Sequence, residues 1–538
     1  MSAAASSQTG TIARSAGTVG IAVFCSRILG LVREQVLANF FGAGMAMDAF
    51  VVAFRIPNLL RDLFAEGALS AAFVSVFTEY DQRRGKQSTW RLANNVLVTL
   101  TLLVGGIALV GILSAHHLVR LMAPDFGLVA GKMGLTVIMT QIMFPFLPMI
   151  SLAAVVMGIL NTKGRFFLPA MASSFFNLGS ILTGVALALI LPSYGVPAII
   201  GMAIGTLLGG VLQLAVQVPS LYRTGYRCQW VMDWRDEGLR RIFVLMTPAI
   251  IGLSATQINV FINTFFASSC AEGSVAWLNY AFRLLQFPIG VFGVAISIAT
   301  MPVVSRYAAH RDYEGLKQAF TSSLVMTLLI TVPASVGLAI LAEPIIALIF
   351  QHGRFTASDT GQTAAALVFY TLGLFAYSGV KVVVPVFYAL NNTRYPVMGS
   401  FLAVGANLIF VLLTLDQLQH RAIALATSLS MILNFGFLSV VLYFKMQGYP
   451  LAHLGRCLVK ICLAASVMGV GVHFLAVWLP PHFGTGIFSQ MALLGILLAA
   501  GLLLYTLVLS FLRVPELQEL IRQVHGLRKR IKPPEENV

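Results

Sequence analysis

The chain has 538 residues, 58% of them hydrophobic and only 10% charged, with a formal net charge of +15. Its mean hydropathy is +0.86. Soluble domains carry about 25% charged residues, so a chain this apolar could not cover a folded surface with polar groups. The composition excludes a soluble globular protein and points to an all-α polytopic membrane protein.

The chain opens with the small, polar stretch MSAAASSQTG. No short apolar segment runs into a cleavage site, so no removable signal peptide is expected. A span needs about 20 apolar residues. Stretches that qualify lie near 16–41, 46–79, 92–115, 134–160, 167–191, 196–219, 242–269, 274–304, 320–342, 361–390, 396–415, 421–444, 457–478 and 487–512, fourteen in all. The second, eighth and tenth are long and interrupted by Pro or Gly, which predicts breaks or kinks. PFLP (145–148) and GVPAIIG (195–201) read as kink and turn chemistry. In FQHGRFTASD (350–359), an outside loop, Thr356 or Ser358 is expected to cap the next helix, and His352 reads as a loop residue.

The positive-inside rule orients these spans. With the N-terminus cytoplasmic, 25 of the 35 Lys and Arg fall in inside segments. Four, Arg120, Lys132, Arg354 and Arg421, fall in outside loops, and six lie within spans. Fourteen spans with both termini cytoplasmic follow. The net positive charge then reflects topology, and the basic tail GLRKRIKPPEENV reads as a contact for anionic lipid rather than for nucleic acid.

The five cysteines, Cys25, Cys228, Cys270, Cys457 and Cys462, form no CxxC pair and read as apolar fillers. No phosphate loop, metal box or nucleophile motif is present. No cofactor, metal or catalytic residue is therefore expected. Internal similarity is faint but patterned. DAFVVAFRIPNLL (48–60) and WLNYAFRLLQFP (277–288) share AFR, and each follows a short turn containing Gly. We read an N-terminal lobe over 1–222 (six spans) and a basic cytoplasmic linker over 223–241. A C-terminal lobe over 242–445 (six spans), two added spans over 446–512 and a basic tail over 513–538 complete the chain. Paired halves with a site between them at mid-membrane are the plan of secondary transporters.

The charges within spans carry the functional information. Spans one and two hold Arg27, Arg33, Arg55 and Arg61, and span eight holds Arg283; Lys381 is the sixth. A charge at the bilayer centre costs at least about 2.5–3.5 kcal/mol. The acids available are Glu34, Asp48, Asp62 and Glu66. Arg27 and Glu34 share a stripe but lie about 10 Å apart along it. Arg61 and Asp62 are adjacent, which predicts that they point in different directions. Asp62 and Glu66 share a face. Arginines in excess over acids call for an anion, and guanidinium matches phosphate through paired hydrogen bonds. A phosphate or pyrophosphate headgroup is the implied ligand, with Asp48, Glu66 and Glu34 as supporting or coupling acids. Arg55 and Lys381 carry no second cue.

SRILGLVREQVLANFFGAGMAMDAF and RIPNLLRDLFAEGALSAAFV together resemble the bacterial MurJ (MviN) family of lipid II flippases, and ILNTKGRFFLPA, YAFRLLQFPIGVFGVAI and FQHGRFTASD are similar to it as well. The likeness runs from about residue 15 to 445. It implies the fold of the multidrug/oligosaccharidyl-lipid/polysaccharide exporter superfamily: two six-helix lobes in a V around a central cavity, with the last two helices forming a groove for a polyprenyl tail. It implies movement of lipid II, the undecaprenyl-pyrophosphate-linked disaccharide-pentapeptide, from the inner to the outer leaflet of the bacterial cytoplasmic membrane. The cavity arginines of the family match Arg27, Arg33, Arg61 and Arg283, and its acids match Asp48 and Glu66. Two departures stand out. Phe282 and Gln286 neighbour Arg283 where relatives can carry acids, and Asp62 stands where a second arginine can follow Arg61.

The expected mechanism is alternating access, with lipid II and membrane lipids as partners and with either an ion or the membrane potential as the drive. Two other transport readings use the same architecture: a flippase for another polyprenyl-linked saccharide, and a drug/cation antiporter, which would want an acid-rich cavity. An enzyme acting on polyprenyl phosphate would need acids or histidines placed for acid–base or metal chemistry, and few are buried.

Overall fold

A computed structural model describes the backbone of residues 2–63, 68–484 and 486–514, and the side chains of 20–63, 69–480, 482–484 and 486–514. Every regular element among these residues is a helix. Packing divides the chain into two compact units. One comprises residues 1–276 with 352–355, the other 277–351 with 356–538. The division falls one helix later than the lobe boundary expected at the basic linker.

The first unit contains α1 (Ser2–Phe41), α2 (Met45–Arg61), α3 (Ala68–Arg83), α4 (Gly85–Leu113), α5 (Ala115–Met122), α6 (Lys132–Met143), α7 (Phe146–Thr162), α8 (Phe167–Ile190), α9 (Ile199–Ala215), α10 (Val218–Tyr222) and α11 (Glu237–Ser268). Its core joins Phe73, Phe77, Leu92, Val155, Ile159 and Ile242, contributed by α3, α4, α7 and α11. The second unit contains most of α12 (Ser274–Pro288), then α13 (Val294–Ala309), α14 (Tyr313–Ile340), α15 (Ala342–Phe350), α16 (Ala357–Thr371), α17 (Leu374–Ala389), α18 (Arg394–Leu418), α19 (His420–Lys445), α20 (Leu451–Trp478) and α21 (Ile487–Phe511). Its core runs through Phe320, Leu324, Val382, Phe387, Leu438 and Ile461. The Tyr505 hydroxyl on α21 donates to the Leu329 carbonyl on α14 at 2.7 Å, so the final span is pinned to this core.

Eleven helices among the described residues are long and apolar enough to cross a membrane, and α16 with α17 make a twelfth if that bent pair is one span. The remaining expected spans, 16–41 and 46–79, are occupied by α1 and by α2 and α3, which hold 17 and 16 residues. This is a multi-pass helical membrane protein.

The interruptions follow local chemistry. Pro288 closes α12, and a π-turn over Ile289–Gly293 joins it to α13. Proline has no N–H and crowds the carbonyl four residues back, so a wider turn is needed there. α16 and α17 are bent by 42°. Within a membrane the carbonyls freed at such a break need donors. Ser428 of α19 supplies one, donating to Phe369 at 2.8 Å and Tyr370 at 3.1 Å. At the other end of α16, the Thr356 side chain accepts from Asp359 N and the Asp359 carboxylate accepts from Thr356 N, so of the two expected caps, Thr356 and Ser358, Thr356 is the one formed.

α8 and α9 pack through a stripe of small residues. Gly201, Gly205 and Gly209 are four apart and meet Ala188, Gly184 and Phe176 of α8. A Cβ on Gly205 would lie 2.6 Å from Gly184 Cα and 2.7 Å from the Ser180 carbonyl. Close backbone approach of this kind drives association between spans. Gly205→Leu is therefore expected to destabilise the purified protein by about 1–3 kcal/mol or more. Gly106→Leu, where a Cβ meets nothing within 4 Å, leaves the thermal midpoint unchanged. Equal midpoints for the two variants, measured side by side in detergent, would rule out this packing.

Candidate functional site

The cations of α1, α2 and the start of α6 are held in different ways among the described residues. Arg33 on α1 is 8% exposed. Its guanidinium lies 5.4 Å from the Phe176 ring centroid and 5.9 Å from that of Phe54, and Nη2 donates to Glu34 Oε1 at 3.0 Å. Neighbours on a helix differ by 100°, yet a long guanidinium stem bends round the surface to its neighbour's carboxylate. Arg27, six residues earlier, is exposed and makes no ion pair among the described residues. Asn177 of α8 donates to the Ser26 carbonyl at 3.3 Å and so ties α8 beside this stretch of α1.

Arg61 also pairs with its neighbour. Nε and Nη2 both donate to Asp62 Oδ1, at 3.1 and 2.9 Å. The expectation that these two side chains diverge is therefore corrected, for the same reason as at Arg33. Gln257 Nε2 of α11 reaches the other Asp62 oxygen at 3.4 Å. Arg55 Nη1 donates to Thr264 Oγ1, also on α11. Residues 55 and 62 are seven apart, as are 257 and 264, so antiparallel α2 and α11 meet at two rungs one heptad apart. Glu66 lies outside the described residues.

Asp48 engages a different cation. Its carboxylate is 1% exposed and accepts from Lys132 Nζ at 2.9 Å, from Gly273 N at 2.9 Å and from Ala276 N at 3.0 Å. Lys132, expected in an outside loop, is instead buried, and its ammonium sits 4.1 Å from the Phe126 ring centroid. Glu272 Oε1 in turn accepts from Met45 N at 2.9 Å. Thus an acid at the start of α2 serves the backbone near 273–276, and an acid at 272 serves the start of α2.

In the second unit Arg283 is an exposed residue of α12. Phe282 beside it packs on Tyr370 and Tyr377, with ring centroids 5.3 and 6.3 Å away. Lys381 is an exposed residue of α17. All five cysteines are free, and no group of three or more metal-capable side chains occurs among the described residues.

Four residues of this arrangement went unpredicted: Lys132, Glu272, Gln257 and Thr264. Lys132 had a readable signal, being a cation in the first turn of a helix, where the macrodipole disfavours it. Gln257 and Thr264 are polar residues at heptad spacing in an apolar span, another signal in the bare sequence.

By sequence, α1 and α2 carry five arginines, Arg14, Arg27, Arg33, Arg55 and Arg61, against two acids, Glu34 and Asp48. The fold defines a multi-pass helical membrane protein whose first two helices, α1 and α2, are rich in arginine. The family described as "Lipid II flippase MurJ" matches residues 37–494. Probable lipid II flippase MurJ of Vibrio cholerae serotype O1 is 35% identical over 504 residues, covering 91% of this chain and 94% of that protein. Lipid II flippase MurJ of Burkholderia cenocepacia is 33% identical over 86% of this chain and 89% of its own length. A solved structure of lipid II flippase MurJ in an inward closed conformation aligns with a TM-score of 0.77 and 26% identity, over 94% of this chain and 99% of that one. An inward-facing multidrug resistance MATE transporter of the MOP superfamily, 18% identical, shares the fold with a TM-score of 0.66 over 80% of this chain and 96% of its own. The chain belongs to the MurJ family.

Breaking a buried pair by removing one partner costs about 3–5 kcal/mol. Lys132→Met is expected to cause a loss of this size in chemical denaturation, whereas Lys132→Met with Asp48→Asn loses less than the two single changes summed. Strict additivity would mean that the two side chains do not act as a pair.

Proposed function

We propose that this protein moves lipid II from the inner to the outer leaflet of the bacterial cytoplasmic membrane, and that Arg27, Arg33, Arg55, Arg61 and Arg283 bind its pyrophosphate headgroup. The observation that carries the reading is the number of arginines in α1 and α2, five against two acids by sequence, in a member of a family named for this substrate. Pyrophosphate accepts the forked hydrogen bonds that guanidinium offers. Arg27, exposed and with no ion pair among the described residues, is the residue best suited to first contact. Glu34 and Asp62 orient Arg33 and Arg61, and a headgroup would take over part of that pairing. The apolar tail stays in lipid while the headgroup crosses.

The distribution of Lys and Arg supports cytoplasmic termini. Alternating access is the mechanism in which one set of arginines meets the headgroup on one side and releases it on the other. Net positive charge near the site gives the membrane potential a handle of about 2.3 kcal/mol per charge per 100 mV. Asp48, already neutralised by Lys132, is assigned a structural part in this cycle, and Glu66 remains the candidate coupling acid.

The test is lipid II exposure at the outer face of cells in which this chain is the sole flippase, with Arg27→Ala and Arg283→Ala compared at equal abundance. A charge-assisted hydrogen bond contributes about 1.5–3 kcal/mol, so each variant should lower exposure at least about tenfold. Exposure by neither variant nor wild type would move the substrate to another polyprenyl-linked saccharide. Full exposure by both variants would remove the arginines from the binding role.

A further inference from the structure

The segment between α10 and α11 has almost no regular structure, yet it is held firmly. Two adjacent, buried asparagines of α4 clamp it. Asn94 Oδ1 accepts from the Tyr226 hydroxyl at 2.6 Å and from Gln229 N at 3.0 Å, and its Nδ2 donates to the Arg227 carbonyl at 3.0 Å. Asn95 donates to the Asp233 carbonyl at 2.8 Å and accepts from Asp233 N at 2.9 Å. The Tyr226 ring stands edge-on against Trp90 at 5.7 Å. These contacts all lie within the first unit.

The clamp sorts the side chains. Successive residues of an extended segment point to opposite faces. Val231 and Asp233 are partly covered, while Trp230, Met232 and Trp234 are 76%, 48% and 50% exposed. The charges are sorted too. Asp233 pairs with Arg91 at 3.5 Å, Glu237 with Arg84 at 2.7 Å, and Asp236 caps α11 through Leu239 N. The acids are thus engaged by the protein itself. Arg223, Arg227, Arg235 and Arg240 are exposed, and none makes an ion pair among the described residues. The loop leaves one candidate span and enters the next, so both its ends lie at a membrane boundary. Tryptophan favours that boundary, and arginines beside it attract anionic headgroups.

We infer that residues 223–240 form a preshaped anchor for the surface of an anionic phospholipid leaflet. Trp230, Met232 and Trp234 seat among the headgroups and upper acyl chains, and the four arginines hold lipid phosphates. The assignment of this leaflet as the cytoplasmic one rests on the orientation proposed above.

The full chain is reconstituted in phosphatidylcholine vesicles containing about one quarter phosphatidylglycerol, with nitroxide placed on the lipid either near the headgroup or at mid-chain. Emission lost in Trp230→Phe/Trp234→Phe isolates the signal of these two residues. That signal should be quenched at least about twofold more by the shallow nitroxide than by the deep one. It should be shielded from aqueous acrylamide, and shallow quenching should weaken in pure phosphatidylcholine and in Asn95→Ala. Free quenching by acrylamide with none by either nitroxide overturns the anchor. So does a loop open to water in vesicles but shielded in native membranes, which would assign the surface to a protein partner. Labelling by an impermeant maleimide with Cys228 as the sole cysteine reads the side independently, so a reversed orientation and a loop that avoids lipid give different results.

Discussion

The energy of a charge held away from water governs the arrangement of the first unit. A carboxylate and an ammonium taken out of water together are tolerated only when each finds the other in good geometry and the remaining donors and acceptors are met. Asp48 and Lys132 satisfy this fully. The carboxylate takes one ammonium and two backbone N–H groups, and the ammonium also lies over an aromatic ring. That pair is saturated and has little left to offer a ligand. Arg33 donates to a Glu34 oxygen and lies near two aromatic rings, Arg61 donates twice to Asp62 Oδ1, and Arg55 donates to the Thr264 hydroxyl.

Helix ends pose the same problem with partial charges. The first N–H groups of a helix have no partner of their own, and within a membrane water cannot always supply one. Glu272 accepts from the start of α2, and Asp48, in the first turn of α2, accepts from the backbone at 273 and 276. One pair of acids therefore settles two helix starts and one buried lysine. This is also a reason for acids in a chain with only 20 of them.

What could be read in advance was what depends on neighbours in sequence. The interruptions in the eighth and tenth apolar stretches follow from Pro and Gly, that expected in the second falls on residues outside those described, and the cap forms at Thr356, one of the two candidates. The arginines of α1 and α2 were conspicuous because charge in an apolar run is rare. Partners were much less legible. Nothing near Lys132 in sequence announces Asp48, 84 positions away. Arg61 and Asp62 were misjudged because a rule for Cβ directions was applied to a side chain long enough to turn back. The attachment of α11 to the first unit was also invisible, since the large basic loop before it looked like a boundary. That loop is clamped by Asn94 and Asn95, which in sequence are two polar residues in a long helix.

The character of the α11 contacts bears on how an anion site can coexist with stability. Had α11 offered a carboxylate at 264, it would pair with Arg55, and any phosphate would have to compete with a covalently tethered anion at high effective concentration; at 257 it would instead face the Asp62 carboxylate. An apolar α11 would remove the hydroxyl that accepts from Arg55 Nη1, and a donor left unmet in a partly buried place is costly. A hydroxyl and an amide fall between these limits. Thr264 and Gln257 satisfy hydrogen bonds and fix direction without cancelling charge. The polar stripe of α11 thus orders Arg55 and Asp62 without adding a negative charge, which is what the proposed anion-binding role of the arginines requires.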